Sequence, residues 1–327
     1  MKSIYSTQSL DRLQPQIAEV IEQVERVIIG KRETIQLCLV ALLCRGHVLL
    51  EDVPGVGKTM LVKALAKSMG CDFRRIQFTP DLLPSDVTGF SVYNQKTLQF
   101  EFRPGPVMSH VVLADEINRT SPKTQAALLE ALEEGCVTVD GDTYELEQPF
   151  FVMATQNPIE YEGTFPLPEA QLDRFLLKLR LGYPDAAQEA EVLTRIQHHH
   201  PIEDVCEVIS RRELLHLQEE VRKVHVDASI IDYIVEVVQA TRTPDAVYLG
   251  ASPRGSIALF RTAQAWAFVQ GRSYVIPDDV KKLVPLTLAH RIILNSEARL
   301  RGTHVEGLLK QILSRVRVPV LPQERKG

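Results

Sequence analysis

A short apolar run, His47-Val48-Leu49-Leu50, leads directly into Glu51-Asp52-Val53-Pro54-Gly55-Val56-Gly57-Lys58-Thr59, and a helical pattern follows to about Met69. A strand that feeds a glycine loop and opens a helix calls for a βα architecture. Gly55 and Gly57 let backbone N–H groups converge on an anion without Cβ clashes, and the helix N-terminus adds a favourable dipole. In that setting Lys58 would bridge the β- and γ-phosphates of a nucleotide, and Thr59 would offer its hydroxyl to Mg²⁺. One position departs from G-x-x-x-x-G-K-[ST]: Asp52 stands where the first glycine is expected.

The rest of the first half alternates. Strands are expected over residues 74–78, 110–114, 150–154 and 176–181, and helices over 31–44, 58–69 and 122–134, which with 47–50 makes a five-stranded parallel sheet covered on both faces. An earlier helix carries Leu13, Ile17, Val20 and Val24 at three- and four-residue spacing behind a cap at Ser9. Two hairpins interrupt the series: residues 90–93 and 98–102 flank Asn94-Gln95-Lys96-Thr97, and residues 137–139 and 143–146 flank Asp140-Gly141, a type I′ turn signal. After Gly182-Tyr183-Pro184 the pattern turns helical throughout, with a capping box at Ser210 and Glu213, a cap at Asp227 and helix starts at Ser252-Pro253 and Pro277. The chain of 327 residues therefore divides into an α/β domain, 1–183, and an all-α domain, 184–327. Residues 323–327 are expected to fray.

A second chemical motif lies about fifty residues beyond the glycine loop. Val111-Val112-Leu113-Ala114 ends in Asp115-Glu116, which places one carboxylate toward a Mg²⁺ shell and another where it can polarise a water. Asn157 closes the 150–154 strand region; Asn-Pro alone is a turn signal, but beside the Asp115 strand its amide could hold a nucleophilic water. Arg174 in Leu172-Asp173-Arg174-Phe175 and Arg254 in Ser252-Pro253-Arg254-Gly255 read, from spacing alone, equally well as solvated surface.

These motifs together resemble the MoxR family of AAA+ ATPases over nearly the whole chain. The most specific segments are Leu113-Ala114-Asp115-Glu116-Ile117-Asn118-Arg119, the run from Ala154-Thr155-Gln156-Asn157 to Gly163, and Leu167-Pro168-Glu169-Ala170-Gln171-Leu172-Asp173-Arg174-Phe175. The resemblance implies an AAA+ P-loop core with a helix-2 insert at about residues 81–103, a pre-sensor hairpin over 137–146, and an all-α lid. It implies nucleotide binding by Asp52, Val53, Pro54, Gly55, Val56, Gly57, Lys58, Thr59 and Met60 with Ile29 and Gly30, and Mg²⁺ held by Thr59 and Asp115. It also implies catalytic roles for Glu116, Asn157 as sensor 1, Arg174 as arginine finger and Arg254 as sensor 2. The family tolerates an acid at the Asp52 position. Ring assembly, as a hexamer, and chaperone-like remodelling of client proteins, including partners with von Willebrand factor A domains, come from the resemblance alone.

Other features carry blander readings. His198-His199-His200 points around a helix rather than converging on a metal, and Arg74-Arg75 is too small for a nucleic-acid footprint. Five cysteines without a C-x-x-C pair, Cys38, Cys44, Cys71, Cys136 and Cys206, read as reduced buried thiols. A net charge of −5, and a second hairpin carrying Asp140, Asp142 and Glu145 but no Lys or Arg, argue against a motor acting on nucleic acid. Glu116 argues against a scaffold that binds ATP without turning it over. No apolar run reaches the roughly 20 residues of a membrane span, and the first residues do not read as a secretory signal, so a cytoplasmic protein is expected.

Overall fold

The structure, a computed structural model, describes residues 5–157, 164–197 and 199–319, with side chains described from residue 15 onward. Residues 158–163 of the Asn157 motif, His198 and the tail beyond 319 lie outside the described residues. By compactness the chain forms two units, one of residues 15–218 and the other of residues from 219 onward grouped with the first fourteen.

In the first unit the elements run α1 (Tyr5–Glu25, entering from the other group), α2 (Arg32–Leu43), β1 (Val48–Glu51), α3 (Lys58–Ser68), β2 (Phe73–Gln77), α4 (Pro84–Thr88), β3 (Gly89–Asn94), β4 (Gln99–Pro104), β5 (Val111–Asp115) and α5 (Pro122–Glu134). They continue as β6 (Cys136–Val139), β7 (Asp142–Glu145), β8 (Phe151–Gln156), α6 (Glu169–Leu172), β9 (Leu177–Leu179), α7 (Ala186–Ile196) and α8 (Arg211–Val221). Five strands form one parallel sheet in the order β2-β5-β8-β1-β9. Its central strands are apolar and buried on both faces, as a sheet sandwiched by helices requires, whereas edge strand β2 leaves Arg74 and Arg75 exposed. One core layer joins Leu49, Val112, Ala114, Val152 and Phe175 to Leu128 and Leu132 of α5.

Both hairpins form. β6 and β7 turn through Asp140 (φ 54°) and Gly141 (φ 94°), the two positive φ values of a type I′ turn. β3 pairs with β4 from Gly89↔Pro104 to Asn94↔Gln99, and Phe102 stacks on Tyr144 at 3.9 Å, joining the two hairpins. Two expectations need revision. Helix α1 begins at Tyr5, so Ser9 lies inside it; no glycine or proline precedes Ser9 to stop the helix. The compact units part at Gln218/Glu219, a division separate from the change of pattern at 183/184, because the segment in between is tied back to the first unit. Lys67 donates to the carbonyls of Ile202 and Glu203, Val208 N–H donates to Ser68 O, and Gln218 donates to Leu42 O. Finally, Cys206 is exposed, while only Cys38 and Cys71 are buried; none of the five is in a disulfide.

The second unit contains α9 (Ala228–Ala240), β10 (Val247–Leu249), α10 (Pro253–Val269), α11 (Pro277–Leu288), β11 (Ile293–Leu294), α12 (Ser296–Leu300) and α13 (Val305–Arg315). It is helical apart from the short antiparallel pair β10-β11, which no alternation in the sequence announces. Asp227 caps α9, accepting from Ser229 N–H, and Ser252 caps α10. In the first unit the Ser210–Glu213 capping box forms at the start of α8.

Candidate active site

Parallel pairing brings the carboxyl ends of β1, β5 and β8 side by side, with Glu51 opposite Gln156 and Gln77 opposite Asp115. The loop after β1 bends through Gly55 (φ 86°) and Gly57 (φ 93°), left-handed conformations that favour glycine. At Gly55 an added Cβ would meet nothing within 4 Å, so conformation and not space selects glycine there. Helix α3 then starts at Lys58 without a side-chain cap, leaving its first N–H groups to a ligand. Lys58 is buried, and its Nζ donates to Asp52 O at 3.0 Å. Thr59 and Met60 stand in the first turn of the same helix.

The departure at Asp52 has a structural reason. Its carboxylate accepts from Leu181 N–H, through Oδ2, and from Gly182 N–H at 3.1 Å, while its own N–H donates to Gln156 O at 3.2 Å. A glycine could not make this clamp, which holds the loop's first residue to the chain leaving β9. Beside it Glu51 pairs with Lys178 and Arg180, each at 2.7 Å. Burial alone would raise the Glu51 carboxyl, but hydrogen bonds from Arg180 and Lys178 outweigh it and hold the group below its ordinary value.

The two acids at the end of β5 are held by neighbours about 40 residues away in sequence and, for Glu116, by Arg119 as well. Asp115 Oδ1 accepts from Thr155 Oγ1 at 2.6 Å, and Oδ2 accepts from Arg75 Nε at 3.1 Å and Nη2 at 2.6 Å. Glu116 Oε2 accepts from Gln77 Nε2 at 2.8 Å and Arg119 Nη1 at 2.9 Å. Glu116 itself has φ 59°, a conformation disfavoured for an L residue, and its N–H donates to Thr155 Oγ1 at 2.8 Å. Because β8 lies between β1 and β5, buried Asn157 at its end follows between the glycine loop and the acids. These residues fit a magnesium nucleotide: an uncapped helix start with a buried lysine faces the phosphate position, and carboxylate oxygens keep lone pairs for a cation beyond the bonds described.

A mostly apolar cavity adjoins the loop, lined by Ile28, Ile29, Gly55, Val56, Gly57, Met60, Pro184, Val192 and Ile196 with Lys31, Arg195 and His200 among the polar groups. Such a pocket next to a phosphate loop suits a purine base. Gly30 (φ 70°) lies against α7: a Cβ there would stand 2.1 Å from Gln188 Nε2. Arg195 ties α7 to the end of α1 by donating to Arg26 O at 2.7 Å and Glu25 O at 3.2 Å.

Comparison with known proteins decides the family. Residues 47–177 match the model described as the ATPase family associated with various cellular activities, and residues 239–312 match the AAA lid domain. The chain is 42% identical over 320 residues to Chaperone MoxR1 of Mycobacterium tuberculosis, an alignment covering 94% of this chain and 84% of that protein. This chain belongs to the MoxR family of AAA ATPases. It is also 61% identical over 308 residues to YeaC of Bacillus subtilis, with 94% and 96% coverage. A crystal structure of a candidate ATPase from Cytophaga hutchinsonii superposes with a TM-score of 0.90 at 43% identity, covering 96% of this chain and 98% of that one.

Within this MoxR-family fold the remaining residues separate. Arg174, in the turn after α6, donates from Nε to Glu133 Oε2 of α5 at 2.7 Å and from Nη1 to Ala170 O at 3.3 Å. Arg254 is exposed at the start of α10 in the helical unit, its N–H donating to Ser252 Oγ at 3.2 Å. Sequence reasoning gave no role to Arg75, Gln77 or Thr155, although Thr155 lies in the run that ends at Asn157. For Arg75 and Gln77 the signal was their i, i+2 spacing, which puts both on one side of β2, and it has meaning only once β2 is known to pair with β5. Among the described residues no His/Cys/Asp/Glu cluster is set to hold a metal by itself; His199 instead pairs with Asp204. No helix among them is long and apolar enough to cross a membrane.

Proposed function

We propose that this protein binds and hydrolyses ATP with Mg²⁺ and uses the cycle to remodel partner proteins. The observation that carries the reading is the convergence of Lys58 and the uncapped start of α3 with Asp115, Glu116 and Asn157 at the carboxyl ends of the central strands of the parallel sheet. Lys58 and the loop N–H groups bind the phosphates, Thr59 and Asp115 would hold the cation, Glu116 accepts a proton from the attacking water, and Asn157 orients that water. Bound Mg²⁺ would neutralise charge developing on the phosphoryl oxygens. Arg254, on the lid, senses the γ-phosphate, and Arg174 serves the nucleotide of a neighbouring subunit in a closed ring, as a hexamer with head-to-tail interfaces requires. The chaperone reading follows the name of the Mycobacterium relative, and a von Willebrand factor A domain protein is the client class we favour. The cytoplasm is the compartment that accompanies such a role.

The test separates binding from turnover. Lys58→Ala removes a charge-assisted phosphate contact and should weaken both, whereas Glu116→Gln keeps its shape and should bind ATP while losing hydrolysis. Nucleotide affinity lost equally in both variants would sink the assignment.

A further inference from the structure

We propose that Thr155 is the positioning residue that sets both acids of the site at once. The inference rests on the ATPase reading above, but it comes from one buried hydroxyl. Thr155 is wholly buried on β8, between β1 and β5. Its Oγ1 donates to Asp115 Oδ1 at 2.6 Å and accepts from Glu116 N–H at 2.8 Å. A hydroxyl has one proton and two lone pairs, so both bonds are made together without competition. The first orients the Asp115 carboxylate. The second holds Glu116 at φ 59°, a backbone conformation that an L residue keeps only when its surroundings impose it. The side chain of Glu116 leaves the chain from that imposed backbone, and Gln77 and Arg119 then take its far end. Thr155 touches neither nucleotide nor water in this account: it acts through Asp115 and Glu116.

Thr155→Val is close in shape and removes only the hydroxyl, leaving Asp115 Oδ1 and Glu116 N–H without this partner; Thr155→Ser keeps the hydroxyl. The expected result is a kcat about 10- to 100-fold lower for Thr155→Val, with fluorescent-nucleotide affinity within about threefold of wild type, and recovery in Thr155→Ser. A readout without nucleotide accompanies it: the Glu116 amide in the ligand-free protein should exchange with solvent about tenfold faster or more in Thr155→Val than in wild type or Thr155→Ser. If the valine variant does not fold, judged by circular dichroism, Thr155→Cys takes its place as the weaker hydrogen-bonding partner, and its kcat must fall below that of Thr155→Ser, an equal kcat overturning the proposal. A wild-type kcat in Thr155→Val, equal losses in the valine and serine variants, or a nucleotide affinity that falls as far as turnover would each overturn the proposal. An inactive wild-type protein measured in the same assay would instead overturn the ATPase reading.

Discussion

His47 makes the stability of the sheet depend on pH in a calculable way. It precedes β1, and its Nδ1 accepts from Val152 N–H at 3.1 Å, which places the proton on Nε2, 3.2 Å from Leu132 O. The ring therefore joins β1, β8 and α5 as a neutral imidazole. Burial pushes its pKa down, only partly offset by the Leu132 carbonyl, from 6.5 to about 4. The unfolded chain takes up a proton near 6.5, and the folded chain does so only near 4. Stability from this group is thus complete above 6.5 and is lost as pH falls toward 4. At about 1.4 kcal/mol per pH unit across that window, roughly 3 kcal/mol disappears, a large part of an ordinary domain's stability. The assay is urea unfolding between pH 7 and pH 4.5, followed by far-ultraviolet circular dichroism because the single tryptophan, Trp266, lies in the helical unit. His47→Gln, with a planar donor and acceptor but no titration, should start less stable at pH 7 by about 1–3 kcal/mol and lose less on acidification. Wild type and His47→Gln losing stability in parallel from pH 6.5 to pH 4.5 would refute the reasoning.

Two further outcomes are expected. Asp52→Gly would bring the loop closer to the general glycine pattern yet should destabilise the protein by about 2–4 kcal/mol, since Leu181 and Gly182 N–H lose a charged acceptor; a variant as stable as wild type in urea would show the clamp to be idle. Arg174→Ala and Lys58→Ala, each inactive alone, should recover part of the ATPase activity when mixed, because an interface can then combine an intact loop with an intact finger; co-assembly without recovery would assign Arg174 to its own subunit, where it already pairs with Glu133.

The features readable along the chain were those set by short-range geometry. Gly55 and Gly57 sit at positive φ, Asp140-Gly141 turns a hairpin, and Ser210 with Glu213 caps a helix, each because a residue's own dihedral preference or a partner three positions away decides the matter. The buried runs of β5 and β8 were equally plain, since a strand covered on both faces must be apolar throughout. Which strand lies beside which was a different question. Residue type did not say that β8 inserts between β1 and β5, so Thr155, 40 residues after Asp115, carried no sign of its bond to it. Asp52 read as a departure from the general glycine pattern that the family tolerates, and its reason came only with the fold, which brings Leu181 and Gly182 to its carboxylate across about 130 residues. The short β10-β11 pair and the tie of residues 202–218 to the first unit likewise depend on partners distant in sequence. Local patterns choose dihedrals and faces; register and strand order, which emerge only when the whole core packs, choose the partner of each buried polar group.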